Sequence, residues 1–219
     1  NTDLTRAKLK NSLLKNANLK DAKLTRADLT DAELNYAVLD NANLRNSKLR
    51  KANLNDAKLK RANLTNAKLK KATLINASLK KAKLRRAVLT KANLTNADLK
   101  RANFYSANLE EANLYRASLI SAKLGKANLK NAYLKNADLK RANLSSANLN
   151  RANLSNTNFF SADLRRADLS NTDLTNSNLS NSDLSYANLK NANLRKANLS
   201  GANLYGLSGT KLDFCPELL

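Results

Sequence analysis

Residues 62–81 read ANLTN AKLKK ATLIN ASLKK, which is four units of five residues with one shared layout. Each unit holds a small residue, a polar residue, a leucine and two further residues. The spacing runs from Leu4 to Leu204 without a gap, and every leucine position holds Leu except Phe104 and Phe159. A repeat of this regularity decides the fold before any other feature of the chain.

The position two residues before each leucine is Ala in most units, and the exceptions are also small. A period of five fits neither the 3.6 residues of an α-helix nor the alternation of a β-strand, and on a helix the leucines would advance about 140° per step and cover the whole surface. A chain that buries one large and one small residue in five must turn a corner in every unit. Four corners close a square coil of about 20 residues, and stacked coils pair their backbones at about 4.8 Å. The small exceptions are Thr2, Ser12, Ser47, Thr157, Thr172, Ser177 and Ser182.

This layout resembles the A(D/N)LXX repeat of the pentapeptide-repeat family, and the resemblance covers residues 1–206. It implies an all-β, right-handed quadrilateral β-helix (a pentapeptide-repeat solenoid) of about ten coils, about 49 Å long. It also implies a non-enzymatic rigid scaffold or interaction protein whose partner is an unidentified protein. Because the family is widespread in bacteria, notably cyanobacteria, we expect a bacterial source.

The repeat register fails after Gly206, and we predict that residues 207–219 form a C-terminal capping segment. The segment is too apolar for a solvated tail, and an open β-helix end exposes apolar core and unpaired strand edges. A contact in a homodimer formed through a rod end is the alternative role. At the other end the chain opens inside a repeat without an initiator Met, so we expect a trimmed or processed form. The capping or dimer residues are Leu207, Leu212, Phe214, Leu218 and Leu219.

The composition disfavours most enzymes. The chain has 219 residues, no His and a single Cys. The usual zinc, haem and iron–sulfur ligand sets and the Ser-His and Cys-His nucleophiles are therefore missing. We predict no enzymatic activity, no cofactor, no metal site and no small-molecule substrate. Cys215 has no second cysteine to pair with, which is compatible with a reducing cytosol, the compartment we expect.

Carboxylates are the remaining conceivable catalytic groups. Asp163 and Asp183 are 20 residues apart, hence on one face in adjacent coils, where a glycosidase-like pair could be imagined. The preference of the repeat for Asn or Asp explains both residues better, and we interpret them as structural. We likewise expect Asn108, Asn128 and Asn148, which share one position of the coil, to form a ladder of side-chain hydrogen bonds.

Basic residues are concentrated in one band. The formal net charge is +22, and residues 45–101 hold 18 basic and 2 acidic residues. We number the sides of the coil by their leucines: face 1 carries Leu44, face 2 Leu49, face 3 Leu54 and face 4 Leu59, each repeating every 20 residues. Within the band face 3 has no basic residue, so the other three faces form a basic saddle. The candidate anion-binding residues are Lys48, Arg50, Lys51, Lys68, Lys70 and Lys71 on face 2, Lys58, Lys60, Arg61, Lys80, Lys81, Lys100 and Arg101 on face 4, and Arg85 and Arg86 on face 1.

Two interpretations of this band stay open. It is a solvated surface that discourages edge-to-edge association, or it makes the chain a polyanion-binding module for nucleic acid, an anionic membrane or an acidic protein. A third hypothesis comes from the resemblance, because some family members act on type II topoisomerases by imitating DNA in shape and negative charge. The charge of +22 disfavours that role here.

Overall fold

The computed structural model describes residues 2–209. In this part the chain is a right-handed quadrilateral β-helix of about ten coils, as predicted. Its strands are single-residue β-bridges at every fifth position, and each pairs in parallel with the residue 20 positions further on, from Asp3–Lys23 to Asn188–Ser208. Residues 2–209 include no helix, and so none that is long and apolar enough to cross a bilayer. The 20-residue coil and the four faces follow from this register.

Leucine and alanine side chains fill the interior of the rod. From Leu24 to Leu189 each residue at the leucine position is at most 1% exposed, including Phe104 and Phe159. The alanines between them are almost as completely buried. Because both positions point inward on every side of the square, a second large residue per unit would overpack the core. This geometry accounts for the small residue in each repeat.

Each corner of the coil is a β-turn with a left-handed residue in third place. The Ala67 amide donates to the Leu64 carbonyl at 2.9 Å, and Asn66 between them has a φ of 59°. Every fifth residue from Arg6 to Lys196 has a φ between 54° and 61°, the sign that a type II turn requires at this place. Non-glycine residues resist this region by about 1–2 kcal/mol, so packing and the inter-coil hydrogen bonds impose it on the chain.

The polar residue before each leucine completes the backbone hydrogen bonding of its unit. In the interior coils four of the five amide groups of a unit donate to backbone carbonyls, as Leu64 does to Lys83 of the next coil at 2.7 Å. The fifth amide belongs to the residue after the leucine. At Thr65 this amide donates to Oδ1 of Asn63 at 3.2 Å. A buried or half-buried amide without an acceptor costs free energy, which explains the Asn or Asp of the repeat.

Two units without this Asn or Asp use an acceptor from the preceding coil. Lys58 takes the polar position before Leu59, and the amide of Lys60 donates instead to Oδ1 of Asp40 at 2.7 Å. In the same way, the amide of Ile75 donates to Oδ1 of Asn55 at 2.9 Å. In both cases the side chain of the residue after one leucine accepts the backbone amide of the residue at the same position in the next coil.

The ladder reaches two residues beyond Gly206. The Leu189 amide donates to the Ser208 carbonyl at 2.9 Å, and the Ser208 amide donates to Ala187 at 3.1 Å. Leu207 is half-buried and packs against the core. The other residues of the predicted cap or dimer contact lie outside the described residues, so both roles and the boundary at 206 stay predictions. They are Leu212, Phe214, Leu218 and Leu219.

Candidate interaction surface

The 20-residue register places the predicted basic residues on three faces of the rod. Of the candidate anion-binding residues, only Lys100 is half-buried and the others are exposed. Two of them pair with a carboxylate: Lys48 lies 3.4 Å from Asp28 and Lys80 lies 3.1 Å from Asp98. Among residues 2–209 the other candidates have no acidic group within 4.0 Å of their charged nitrogens.

The basic stripe on face 2 ends at acidic residues. At the turn position this face carries Lys51, Lys71 and Lys91 in successive coils, followed by Glu111. The ammonium group of Lys91 lies 3.2 Å from the Glu111 carboxylate, and Glu110 stands beside it in the sequence. The charge of face 2 at this position therefore changes from positive to negative after the third coil of the band.

The basic stripe on face 4 continues instead beyond the predicted band, to Lys140 and Arg141. One coil of face 4, at Ile120 and Ser121, is uncharged, and the basic residues resume on its far side. The predicted band, which ends at residue 101, does not include this later pair. We call the residues that share one repeat position in successive coils of a face a column. On face 4 the column directly after the leucine holds Lys60, Lys80, Lys100, Ile120, Lys140 and Phe160. The next column, at the left-handed turn position, holds Arg61, Lys81, Arg101, Ser121, Arg141 and Ser161.

Two adjoining clefts follow these columns, and together we call them the face 4 groove. The first has a volume of about 380 Å³ and is lined by Lys80, Lys81, Lys100, Arg101 and Arg141 around Ile120 and Ser121. The second, of about 370 Å³, shares Ile120 and Arg141 and adds Lys140, Asn158, Phe160 and Asn178. Ile120 and Phe160 are half-buried, so the groove combines cationic walls with two apolar side chains.

Few carboxylates approach the groove. Asp98 pairs with Lys80, and Oδ1 of Asp138 accepts the Lys140 backbone amide at 3.1 Å. Within residues 2–209 the remaining groove cations form no salt bridge. These free cations are Lys81, Lys100, Arg101, Lys140 and Arg141.

Face 1 carries a third cleft, in which one predicted anion-binding residue is engaged by an aromatic ring. The Arg85 guanidinium lies 5.5 Å from the centre of the Tyr105 ring, within the range of a cation–π contact. The cleft, of about 430 Å³, lies over Gly125 between Tyr105 and Ser145. A Cβ atom on Gly125 would come within 3.3 Å of the Tyr105 ring, so the glycine leaves room for that ring.

Asp163 and Asp183 are paired across adjacent coils, and an arginine lies against both. Arg165 Nη2 lies 2.8 Å from Asp163 Oδ2, and its Nε lies 3.9 Å from Asp183 Oδ2. The hydrogen bonds from the Arg165 side chain and backbone hold the pKa of Asp163 below its ordinary value. The Arg165 side chain thus lies against both carboxylates, and this contact supports the structural interpretation of the pair.

The predicted asparagine ladder forms only in part. Asn128 donates to Oδ1 of Asn108 at 3.4 Å, but among the described residues no such bond continues to Asn148. In all three residues Oδ1 accepts the backbone amide two residues later, at Glu110, Lys130 and Asn150. Each asparagine thus satisfies an amide of its own unit, whether or not the bond between coils forms.

Two family models match the chain. The model described as "Pentapeptide repeat region" matches residues 2–79. The model described as "Pentapeptide repeats" matches residues 67–104, 97–136, 112–150, 137–176 and 172–206. No curated protein is similar enough in sequence to be matched to the chain.

Solved structures of other pentapeptide-repeat proteins are similar to the rod. HetL, a protein involved in heterocyst differentiation regulation in the cyanobacterium Nostoc sp. strain PCC 7120, is 37% identical, with a TM-score of 0.90 over 93% of this chain and 94% of HetL. QnrB1, a plasmid-mediated fluoroquinolone resistance protein, is 20% identical, with a TM-score of 0.60 over 75% of this chain and 89% of QnrB1. At that identity QnrB1 supports the fold alone.

Proposed function

Because the chain belongs to the pentapeptide-repeat family, we propose that it is a non-enzymatic interaction protein that presents a rigid surface to a macromolecular partner. The observation that carries this proposal is the filled core. From Leu24 to Leu189 the leucine positions are at most 1% exposed, so the interior leaves no space for a substrate. The outward side chains stand on a backbone fixed by hydrogen bonds in every coil, and a preformed surface lowers the entropic cost of binding.

The likeness to HetL supports a regulatory role for this interaction. HetL is 37% identical over almost the whole of both chains, with a TM-score of 0.90, so the two rods have nearly the same number of coils. A protein partner in a regulatory process is therefore the first class of partner to seek.

Partner capture on the immobilised chain tests the proposal. Nuclease-treated extract is passed at 150 mM salt over the wild-type chain and over three variants. The variants carry two charge reversals each, on face 1, face 2 and face 4 respectively. We expect one or more proteins to be retained by the wild type and lost with one variant only. Retention of the same proteins by the wild type and all three variants would contradict an interaction through the basic faces, and retention of no protein by any of them would contradict the interaction role. Circular dichroism of each variant controls for folding.

Polyanion binding through residues 45–101 is the second candidate function. It is supported by the many cations of the band that lack an acidic partner, of which Lys70 and Lys71 on face 2 are examples. Neutralising several phosphates makes binding steeply dependent on salt. Fluorescence anisotropy with a DNA duplex, and sedimentation with phosphatidylserine vesicles, should then show an affinity loss on the order of 10³-fold between 50 and 200 mM salt. Negligible binding at 50 mM would remove this candidate.

A further inference from the structure

We propose that the face 4 groove binds an extended acidic segment of a protein partner, and that this segment inserts at least one large apolar side chain beside Ile120 and Phe160. The inference rests on the proposed function as an interaction protein and names the chemistry of the partner. The groove runs from the coil of Lys80 to the coil of Asn178. Five steps of about 4.8 Å are matched by an extended peptide of about seven residues.

Charge is the first argument. Lys81, Lys100, Arg101 and Arg141 line the first cleft, and none of them forms a salt bridge within the described residues. Arg101 and Arg141 stand on either side of Ser121, so their backbones are about 9.6 Å apart, twice the inter-coil spacing. A carboxylate placed over Ser121 could accept charge-assisted hydrogen bonds from both guanidinium groups, and such bonds are stronger than those between neutral groups. The groove is complementary to several acidic side chains.

The apolar side chains are the second argument, and they distinguish a peptide from a nucleic acid backbone. Ile120 and Phe160 lie in the same column as Lys100 and Lys140, so charged and apolar positions alternate along the groove. An apolar side chain of a peptide would gain from being buried between them, whereas a row of phosphates would gain nothing. A partner that carries both acidic and apolar residues satisfies every part of the groove.

The interruption of the stripe is the third argument. Ile120 and Ser121 occupy, in one coil, the two positions that hold cations in the coils on either side. A regular polyanion following the rod axis would therefore lose its contacts in the middle of face 4. On face 2 the cations continue without a gap from Lys51 to Lys91, but that stripe ends at Glu111. Neither face offers a regular polyanion an uninterrupted track as long as the groove.

Two labelled peptides test the inference on the full chain by fluorescence anisotropy. One has the sequence DEDLEFDE and the other, DEDSESDE, has serine at the two apolar positions. We expect the first to bind at least 10-fold more tightly. Equal affinity for the two peptides would overturn the inference, because the apolar pair would then contribute nothing. A DNA duplex serves as the competitor.

Two pairs of variants locate the binding site. Ile120→Ser with Phe160→Ser should remove the difference between the peptides, whereas Ile75→Ser, at the same repeat position on face 3, should preserve it. Serine already occupies this position at Ser145 and Ser180, so the fold accommodates it. If the apolar pair of substitutions leaves the difference intact, the peptide binds elsewhere and the inference is wrong.

Charge reversal gives the second comparison. Arg101→Glu with Arg141→Glu should weaken binding of both peptides at least 10-fold, whereas Lys51→Glu with Lys71→Glu on face 2 should change it less than twofold. Glutamate tolerates this turn position, since Glu111 has a φ of 55°. Equal losses of peptide affinity from both pairs of reversals would indicate general polyanion binding instead. So would a DNA duplex that displaces the peptide from the Ile120/Phe160 variant and from the wild type at the same concentration.

The capture experiment separates this inference from the proposed function. If reversals on face 1 or face 2 release the captured proteins and reversals on face 4 do not, the chain is an interaction protein but the groove is not its docking site. If no captured protein depends on any face while the peptides behave as expected, the groove binds acidic segments and the interaction role loses its support.

Discussion

The backbone amide of Lys60 donates to Oδ1 of Asp40, one coil earlier, at 2.7 Å. In most other units the same amide is satisfied by the Asn or Asp two residues before it, as at Thr65 and Asn63. The rod therefore has two interchangeable ways to satisfy one amide, and only the local way is visible in the repeat itself.

The contact between Asp40 and Lys60 can be tested by a rescue experiment. Asp40→Ala leaves the Lys60 amide without its acceptor and should lower the free energy of unfolding by about 0.5–1.5 kcal/mol. Adding Lys58→Asn places an acceptor at the usual position and should recover most of the loss. Denaturant unfolding of the single and double variants measures both effects. A double variant no more stable than Asp40→Ala would show that the amide is not the cause.

Ser177 occupies an alanine position, and its hydroxyl is buried without a hydrogen-bond partner among residues 2–209. Ser177→Ala removes this unsatisfied group and should raise the free energy of unfolding, by about 1–3 kcal/mol. Ser182→Ala is the matched control, because the Ser182 hydroxyl donates to the Leu179 carbonyl at 2.6 Å. Thermal unfolding should show the larger gain for Ser177→Ala; a larger gain at Ser182 would contradict this account.

A leucine in the middle of the rod should matter more than one at its end. Leu74 is 0% exposed, so Leu74→Ala opens a cavity and should cost about 2–5 kcal/mol. Leu4, in the first coil, is only half-buried and packs against the core from one side, so Leu4→Ala should cost less than half as much. Denaturant unfolding compares the two variants. Similar losses would mean that the described end is packed as tightly as the centre.

Acid should weaken the contact between Asp163 and Arg165. Because the pKa of Asp163 is lowered by folding, its contribution to stability is complete above the unfolded-state pKa of about 3.9. It is lost as the pH falls through the lower folded-state value. Asp163→Asn should therefore flatten the dependence of the unfolding midpoint on pH below about 4. Asp31→Asn is the control, since Asp31 accepts no side-chain hydrogen bond among the described residues. An equal change in both would refute the assignment.

The architecture was predictable because one periodicity determines it. Leu or Phe at every fifth position and a small residue two places earlier leave only a square coil, and the confirmed 20-residue register follows. The hydrogen-bonding role of residues such as Asn63 was not predictable, because the periodicity does not tell which amide the other coils leave unsatisfied. The isolation of the Ser177 hydroxyl depends in the same way on side-chain conformation.

The candidate surface was predictable in its faces but not in its extent. Net charge summed along the sequence ended the basic band at Arg101, because Glu110 and Glu111 lower the local sum. In the coil those two residues lie on face 2, while Lys140 and Arg141 resume the stripe on face 4. Counting charge along one face would have found them; the clefts beside Ile120 required the side chains.

The 20-residue register also has a genetic consequence. An in-frame duplication of 20 residues lengthens the rod by one coil and returns every later residue to its own face. A duplication of five residues rotates everything that follows by a quarter turn, so that one placed between Arg101 and Arg141 would move the two arginines to neighbouring faces. In both cases the core still receives Leu and a small residue in each unit. Slippage of a short coding repeat can therefore rearrange the surface of this protein while leaving its interior intact.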